Sequence, residues 1–270
     1  MHVVVRYLVI SFLANAALAQ PPFAQSRDNL RIEKLVIESN SLPPADRERI
    51  VRFLQQKTYL QPEIGERIRQ TLRDEGYLKA IVEEPSFSVR MEAKGKRAAY
   101  VTVKVEQGAQ YRLGDIHIQK ATVFLPTRLR SLFSLRRGEL FNMNKFGEGL
   151  ENLRKLYATR GYVNCVAAPV VSIDESRRTI DLVLEVDEGR PFDFGKLNLE
   201  GVEAYPGASK TLLNSWKPLE GKRYNSVELE HWLQANHSDW KVGPRASDSI
   251  KMAQDPFSLV VNVTLTKRAH

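Results

Sequence analysis

The 270-residue chain is 43% hydrophobic and 27% charged, the proportions of ordinary globular protein, with room for one large domain or several small ones. Its single cysteine, Cys165, excludes an internal disulfide. A net charge of +8, from 40 Lys and Arg against 32 Asp and Glu, would suit an anionic partner such as nucleic acid, lipid headgroups or acidic glycan, and bears on steering rather than fold.

Residues 1–19 read as a secretory signal peptide. Arg6 precedes an apolar run ending at Leu13, and Ala17 to Ala19 supplies a small-x-small site. An uncleaved anchor is the rival reading, although the apolar core is short for a membrane span. No Cys follows the small residues, which argues against a lipoprotein. Residues 20–28, with Pro21 and Pro22, read as a leader of little structure.

A first unit, residues 29–109, opens with a strand over Leu30–Ser39. Pro43, Pro44 and Asp46 introduce a helix with Ile50, Phe53 and Leu54 on one face. Ile64, Ile68 and Leu72 mark a second helix that stops at Gly76-Tyr77, glycine being the usual residue just past a helix end. Leu78–Val82 and Phe87–Met91 are expected as extended chain, and Val101, Val103 and Val105 share one face of a last strand.

A second unit, residues 110–189, repeats this order. Tyr111–Ile118 reads as a strand, and Leu125, Leu129, Leu132 and Phe133 line a helix with Pro126 near its start. Phe146, Leu150, Leu153 and Tyr157 line the next helix, which ends in Gly161-Tyr162, 85 residues after the first such pair. Cys165 falls in the following strand-like run, where a buried apolar thiol is expected. In the last strand Ile180, Leu182, Leu184 and Val186 alternate with mostly polar residues, so one sheet face should meet helices and the other solvent.

A third unit, residues 190–270, carries echoes of the second. Gly189 and Phe192-x-x-Gly195 follow Gly108 and Tyr111-x-x-Gly114 after 81 residues, and Gly221-x-x-Tyr224-Asn225 follows Gly138-x-x-Phe141-Asn142 after 83. Leu229, Trp232 and Leu233 mark its second helix and Ser258–Lys267 its last strand. The Gly-Tyr stop is missing, and Ser238–Ser249 is irregular. A period near 80 residues suits tandem small domains, not a solenoid.

These motifs, in this order, resemble the polypeptide-transport-associated (POTRA) domain of the outer-membrane β-barrel assembly family. The resemblance rests on Tyr111-x-x-Gly114, Gly138-x-x-Phe141-Asn142, Leu153-x-x-x-Tyr157-x-x-x-Gly161-Tyr162 and Val186-x-Glu188-Gly189, with Gly195 and Gly221 in the third unit and Gly76-Tyr77 in the first. The first unit lacks the Gly-x-x-Phe-Asn. The implied fold is α+β: three tandem β-α-α-β-β modules, each a three-stranded mixed sheet with two helices on one face. A barrel usually follows such an array and needs well over about 150 further residues; the expectation is a POTRA-only protein, or one cut from a longer gene.

A three-stranded sheet has two edges that expose unpaired backbone groups. Pro85 interrupts the run Ile81–Val89 and Pro169 interrupts Val163–Ile173, which makes both edge strands; Pro256 stands near the third unit's penultimate run. POTRA domains are thought to receive extended clients at this edge, and an added strand bonds through its backbone with little sequence demand. The candidate residues are Glu83, Phe87, Val89, Val166, Val170 and Val171. The alternative is that they only complete the sheet, with proline guarding against aggregation. Gly76, Tyr77, Gly161 and Tyr162 read as structural, and Gly114, Gly138, Gly189, Gly195 and Gly221 as motif glycines.

Arg128, Arg130, Arg136, Arg137, Lys94, Lys96 and Arg97 read as solvated basic groups, or as contacts to anionic lipid. Catalysis finds no support: His231 and His237 lack metal spacing, no Gly-x-Ser-x-Gly occurs, and Asp187-Glu188 reads as a solvated turn. The expectation is an exported, cofactor-free, non-enzymatic binding array in the periplasm, associated with the outer membrane. Its partners would be unfolded outer-membrane or secreted polypeptides and a separate barrel or assembly subunit. A division-septum scaffold is the rival class. A nucleic-acid binder, which export argues against, would need steep salt dependence.

Overall fold

A computed structural model describes residues 29–55, 58–60, 63–91, 97–201, 206–236 and 250–266. The leader, Lys94, Lys96 and the irregular stretch Ser238–Ser249 lie outside the described residues.

The first module comprises β1 (Asn29–Glu38), α1 (Pro44–Gln55), β2 (Thr58–Leu60), α2 (Ile64–Asp74), β3 (Ile81–Val82), β4 (Ser86–Met91) and β5 (Arg97–Glu106). The second has β6 (Arg112–Gln119), α3 (Pro126–Arg130), α4 (Met143–Ala158), β7 (Val166–Asp174) and β8 (Thr179–Asp187). The third has β9 (Asp193–Glu200), α5 (Pro206–Trp216), α6 (Ser226–Ala235), β10 (Ile250–Asp255) and β11 (Val260–Thr266). The order β-α-α-β-β holds in the second and third modules; the first keeps it with β2 inserted between its helices and an extra short strand, β3, before β4.

Each module has one mixed sheet. The second runs β6-β8-β7 and the third β10-β11-β9, where β11 pairs parallel with β9 and antiparallel with β10. In the first, β5 lies parallel to β1 and antiparallel to β3 and β4. Short β2 adds to β1, so this sheet has five strands where the motif alone implies three. The expected extended run Leu78–Val82 is a strand only at Ile81–Val82, because the Ala80 N–H bonds back to the Tyr77 carbonyl and closes a turn.

Helix faces follow the expected spacing with two exceptions. Ile50 and Leu54 are buried, but Phe53 sits one step off their stripe and is 46% exposed. The helix expected over Leu125–Phe133 spans only Pro126–Arg130, with Leu125 at its N-cap and largely exposed. On β8, Ile180, Leu182, Leu184 and Val186 are all buried, as the alternation requires. The third core is aromatic: the Trp216 ring lies edge-on to Phe194 and Trp232, and its Nε1–H donates to the Gly195 carbonyl. Burial pushes the Cys165 thiol up to about 12, with Glu188 and Asp187 adding to the shift. This is an inert buried thiol.

The chain divides into two compact units, and the division runs through the middle module instead of between modules. One unit holds the described residues to His117 with Phe133–Glu148 and Pro169–Leu184; the other holds Ile118–Leu132, Gly149–Ala168 and the described residues from Glu185. Each unit therefore contains one complete joint between modules.

In the first unit, the Gly76 carbonyl accepts the Tyr111 N–H at 3.0 Å, and the Tyr111 carbonyl accepts the Phe141 N–H at 2.9 Å. In the second, Gly161 accepts from Phe192 at 2.8 Å and Phe192 from Tyr224 at 2.9 Å. The Gly-Tyr helix stop of one module is thus clasped by the opening aromatic of the next. The two glycines have φ of +87° and +86°, where a side chain is strained, and a Cβ at Gly161 would lie 2.7 Å from the Phe192 carbonyl oxygen. Each neighbouring tyrosine serves its own module: Tyr77 is buried with its hydroxyl donating to Asp46, and the Tyr162 ring stands edge-on to Tyr157.

Glu188 corrects the reading of Asp187-Glu188 as a solvated turn. Its carboxylate accepts the Thr122 and Val123 N–H groups at 2.7 and 2.8 Å and the Tyr157 hydroxyl at 2.8 Å. Burial pulls its pKa upward, but the bonds from Thr122, Val123 and Tyr157 outweigh that and hold it below the usual range.

Candidate functional site

Among the described residues every module has one blocked edge and one open edge. The first strand is blocked at its start by the protein's own backbone. In the middle module Leu113 N–H donates to Glu139 O and Gly138 N–H to Leu113 O; in the third, Phe194 and Gly221 exchange the matching bonds with Lys222 and Phe194. In the first module β2 takes this place. This explains the Gly-x-x-Phe/Tyr-Asn motif: it is the ribbon that closes one edge, and its Asn caps the following helix, Asn142 accepting from Lys145 N–H and Asn225 from Val227 N–H. Beyond the ribbon these edge strands carry charges, Asp115 and then Lys120 past β6, Lys196 and Glu200 on β9.

The other edge of each sheet is β4, β7 or β10, and among the described residues each pairs on one side only. Pro169 lies within β7, an edge strand, as a proline inside a strand requires, whereas Pro85 precedes β4 and Pro256 follows β10. The three edges are not equivalent. β4 carries Arg90, and β10 carries Lys251 and Asp255, whereas Val166–Ile173 of β7 has no charge at all. Charges are the usual guard of a free edge. On β7 the terminal Asp174 is the one charge, and over Val166–Ile173 only Pro169 serves.

The candidate residues fall into distinct places. Glu83 is exposed in the link between β3 and β4, its N–H bonded to Lys104 O. Phe87 packs against the first core, so its side chain belongs to the module itself, while Val89 is 39% exposed. Val166 and Val170 are 57% and 40% exposed on the solvent face of β7. Val171 points the other way, with Pro169 and Ile173.

These three line an apolar cleft of about 130 Å³, with Ile180 and Leu182 of β8 behind them. Phe141, Met143 and Phe146, around the start of α4, form another side. Leu78, Arg73 and Lys79 of the first module complete it. Sequence reasoning missed the cleft because it needs the joint: the turn that delays the start of β3 also brings Leu78 to the middle module. Around it, the Glu175 carboxylate accepts from the Tyr111 hydroxyl at 2.6 Å and pairs with Lys79, and these two bonds, Lys79 first, hold its pKa below the ordinary value. Asp74 accepts the Asn144 N–H at the α4 N-terminus at 3.0 Å. Burial raises its pKa against the pull of that bond.

Among the basic groups, Arg128 lies 5.4 Å and Arg160 5.6 Å from the Phe124 ring centre. Among the described residues no cluster of three His, Cys, Asp or Glu could hold a metal ion, and no helix is long and apolar enough to cross a membrane.

The POTRA family model, described as surface antigen variable number repeat, matches residues 111–189. The middle module is a POTRA domain. The whole chain has the fold of three such domains in tandem: it superposes on the crystal structure of Haemophilus influenzae BamA POTRA3-5 with a TM-score of 0.65, at 19% identity, covering 92% of this chain and 100% of that one. In sequence it is similar to an outer membrane protein assembly factor of Treponema pallidum, 28% identical over 114 residues, which is 42% of this chain and 14% of that protein. It is also similar to the outer membrane protein assembly factor BamA of Neisseria meningitidis, 24% identical over 140 residues, 48% of this chain and 17% of that one. The chain thus spans less than a quarter of the length of these relatives.

Proposed function

We propose that this POTRA array is exported to the periplasm, associates with the outer membrane, and binds polypeptide during outer-membrane protein assembly or secretion. The act of binding is strand addition to β7, whose eight uncharged edge residues are the observation that carries the reading. Backbone bonds supply affinity with little demand on sequence, which suits a handler of many unfolded chains. The relatives' names as assembly factors support the setting. A separate barrel protein or assembly subunit is the second partner, and the basic groups around Arg128 add a surface for anionic lipid.

The test is a charge on the open edge. Val170→Lys should weaken binding of an unfolded outer-membrane polypeptide about tenfold or more with an unchanged circular dichroism spectrum. Gln119→Lys, on the other edge strand of the same sheet, should leave affinity as it was. Equal affinity of Val170→Lys and the natural chain would remove the proposal.

A further inference from the structure

A strand laid beside β7 would place alternate side chains on the face of Pro169, Val171 and Ile173, about 4.8 Å further out. That face is incompletely filled, and the void is apolar and about 130 Å³. For scale, an apolar cavity of about 150 Å³ accommodates a benzene ring. The void also has mixed ownership: Leu78 and Arg73 come from the first module, Val171 and Met143 from the second.

We infer that the cleft takes one large apolar side chain, Phe or Leu, of the added strand, and that filling it locks the first joint closed. The inference rests on strand addition at β7. The coupling follows from composition: a cleft walled by two modules exists only while they are docked. A side chain that binds the cleft therefore favours the docked state, and docking favours its binding by the same factor. The Gly76–Tyr111 clasp and the Asp74–Asn144 bond hold that state in the free protein. A strand bearing only small side chains would engage the β7 backbone and leave the joint as it was.

The test uses the full chain and two blocked peptides of alternating threonine and valine, one with a central phenylalanine and one with a central alanine. The phenylalanine peptide should bind roughly tenfold or more tightly, the scale set by burying one large apolar side chain. Leu78→Trp, which fills the cleft, should abolish this preference and keep the affinity for the alanine peptide. Asp74→Ala should weaken the phenylalanine peptide more than the alanine one. Amide exchange at Tyr111 and Asn144, followed by NMR, should slow with the phenylalanine peptide alone. Equal affinities for the two peptides, or a preference that survives Leu78→Trp, would overturn the cleft and leave strand addition standing. A preference without slowed exchange would overturn the coupling. Failure of both peptides to bind would overturn strand addition and the inference with it.

Discussion

The two joints share one backbone device and differ in everything around it. At the first, polar side chains surround the clasp: Asp74 with Asn144 and Asn142, Glu175 with Lys79 and Tyr111, and the Gln110 amide on the Glu75 carbonyl. At the second, the corresponding positions are Thr159 for Asp74, Phe192 for Tyr111 and Pro256 for Glu175, so neither carboxylate latch nor the tyrosine hydroxyl bond has a counterpart. What the second joint has is closeness. Gly161 lies against the Phe192 backbone and the Arg223 side chain, where a Cβ would come within 2.7 Å of both; at Gly76 the nearest atom would be 3.1 Å away. Repeats can thus preserve a main-chain contact while exchanging side-chain latches for steric fit.

This difference predicts unequal responses to the same substitution. Gly161→Ala should be the most damaging single change: the positive φ alone costs roughly 1–2 kcal/mol, and displacing the Phe192 backbone adds to it. Gly76→Ala should incur the conformational cost with a milder contact. Because modules need not unfold together, amide exchange at Phe192 and Tyr111 is the appropriate measurement, not a single melting temperature. Equal acceleration at the two amides would erase the distinction between the joints. Asp74→Ala comes next, at about 1 kcal/mol, since it strips a carboxylate from the first turn of α4. It should speed exchange at Asn144 and Tyr111 and leave Phe192 untouched.

Much of this architecture was legible in the residues themselves. The helix at Ile64, Ile68 and Leu72, its stop at Gly76, and the buried stripe of β8 follow from spacing, and Pro169 correctly marks an edge. The clasp was not legible, because a carbonyl at Gly76 and an N–H at Tyr111 belong to different modules and leave no periodic trace. One trace did exist. A Gly-Tyr pair occurs only in the two modules followed by one that opens with an aromatic and Gly114 or Gly195, so the two motifs are halves of one contact. Those opening glycines have their own cause: a Cβ at Gly114 or Gly195 would strike the side chain of Asp181 or Asn262. The cleft escaped for a related reason. Leu78 reads as the start of a strand, and only the turn bonded through Ala80 releases it toward the second module.

The smallest expected effect separates the two latches of the first joint by the sign of their pH dependence. The Glu175 pKa is depressed by Lys79 and then Tyr111, so its contribution is complete above the ordinary carboxylate value of 4.5 and is lost as pH falls through the lower folded value. Asp74 is raised by burial, so its charged form is a cost at neutral pH that is relieved as pH falls toward the ordinary 3.8. The two oppose each other in the natural chain. Glu175→Gln should leave a first joint that only tightens on acidification, and Asp74→Asn one that only loosens. Both differences should be a few tenths of a kcal/mol, because the Lys79–Glu175 pair is largely exposed, and 1 M salt should weaken the Glu175 part further. Exchange at Tyr111 between pH 3 and 6 in the two variants would show opposite slopes after correction for intrinsic rates. The same slope in both would mean that a single latch controls the joint. Phe192 should be indifferent to either substitution, since Glu175 and Asp74 both belong to the first joint.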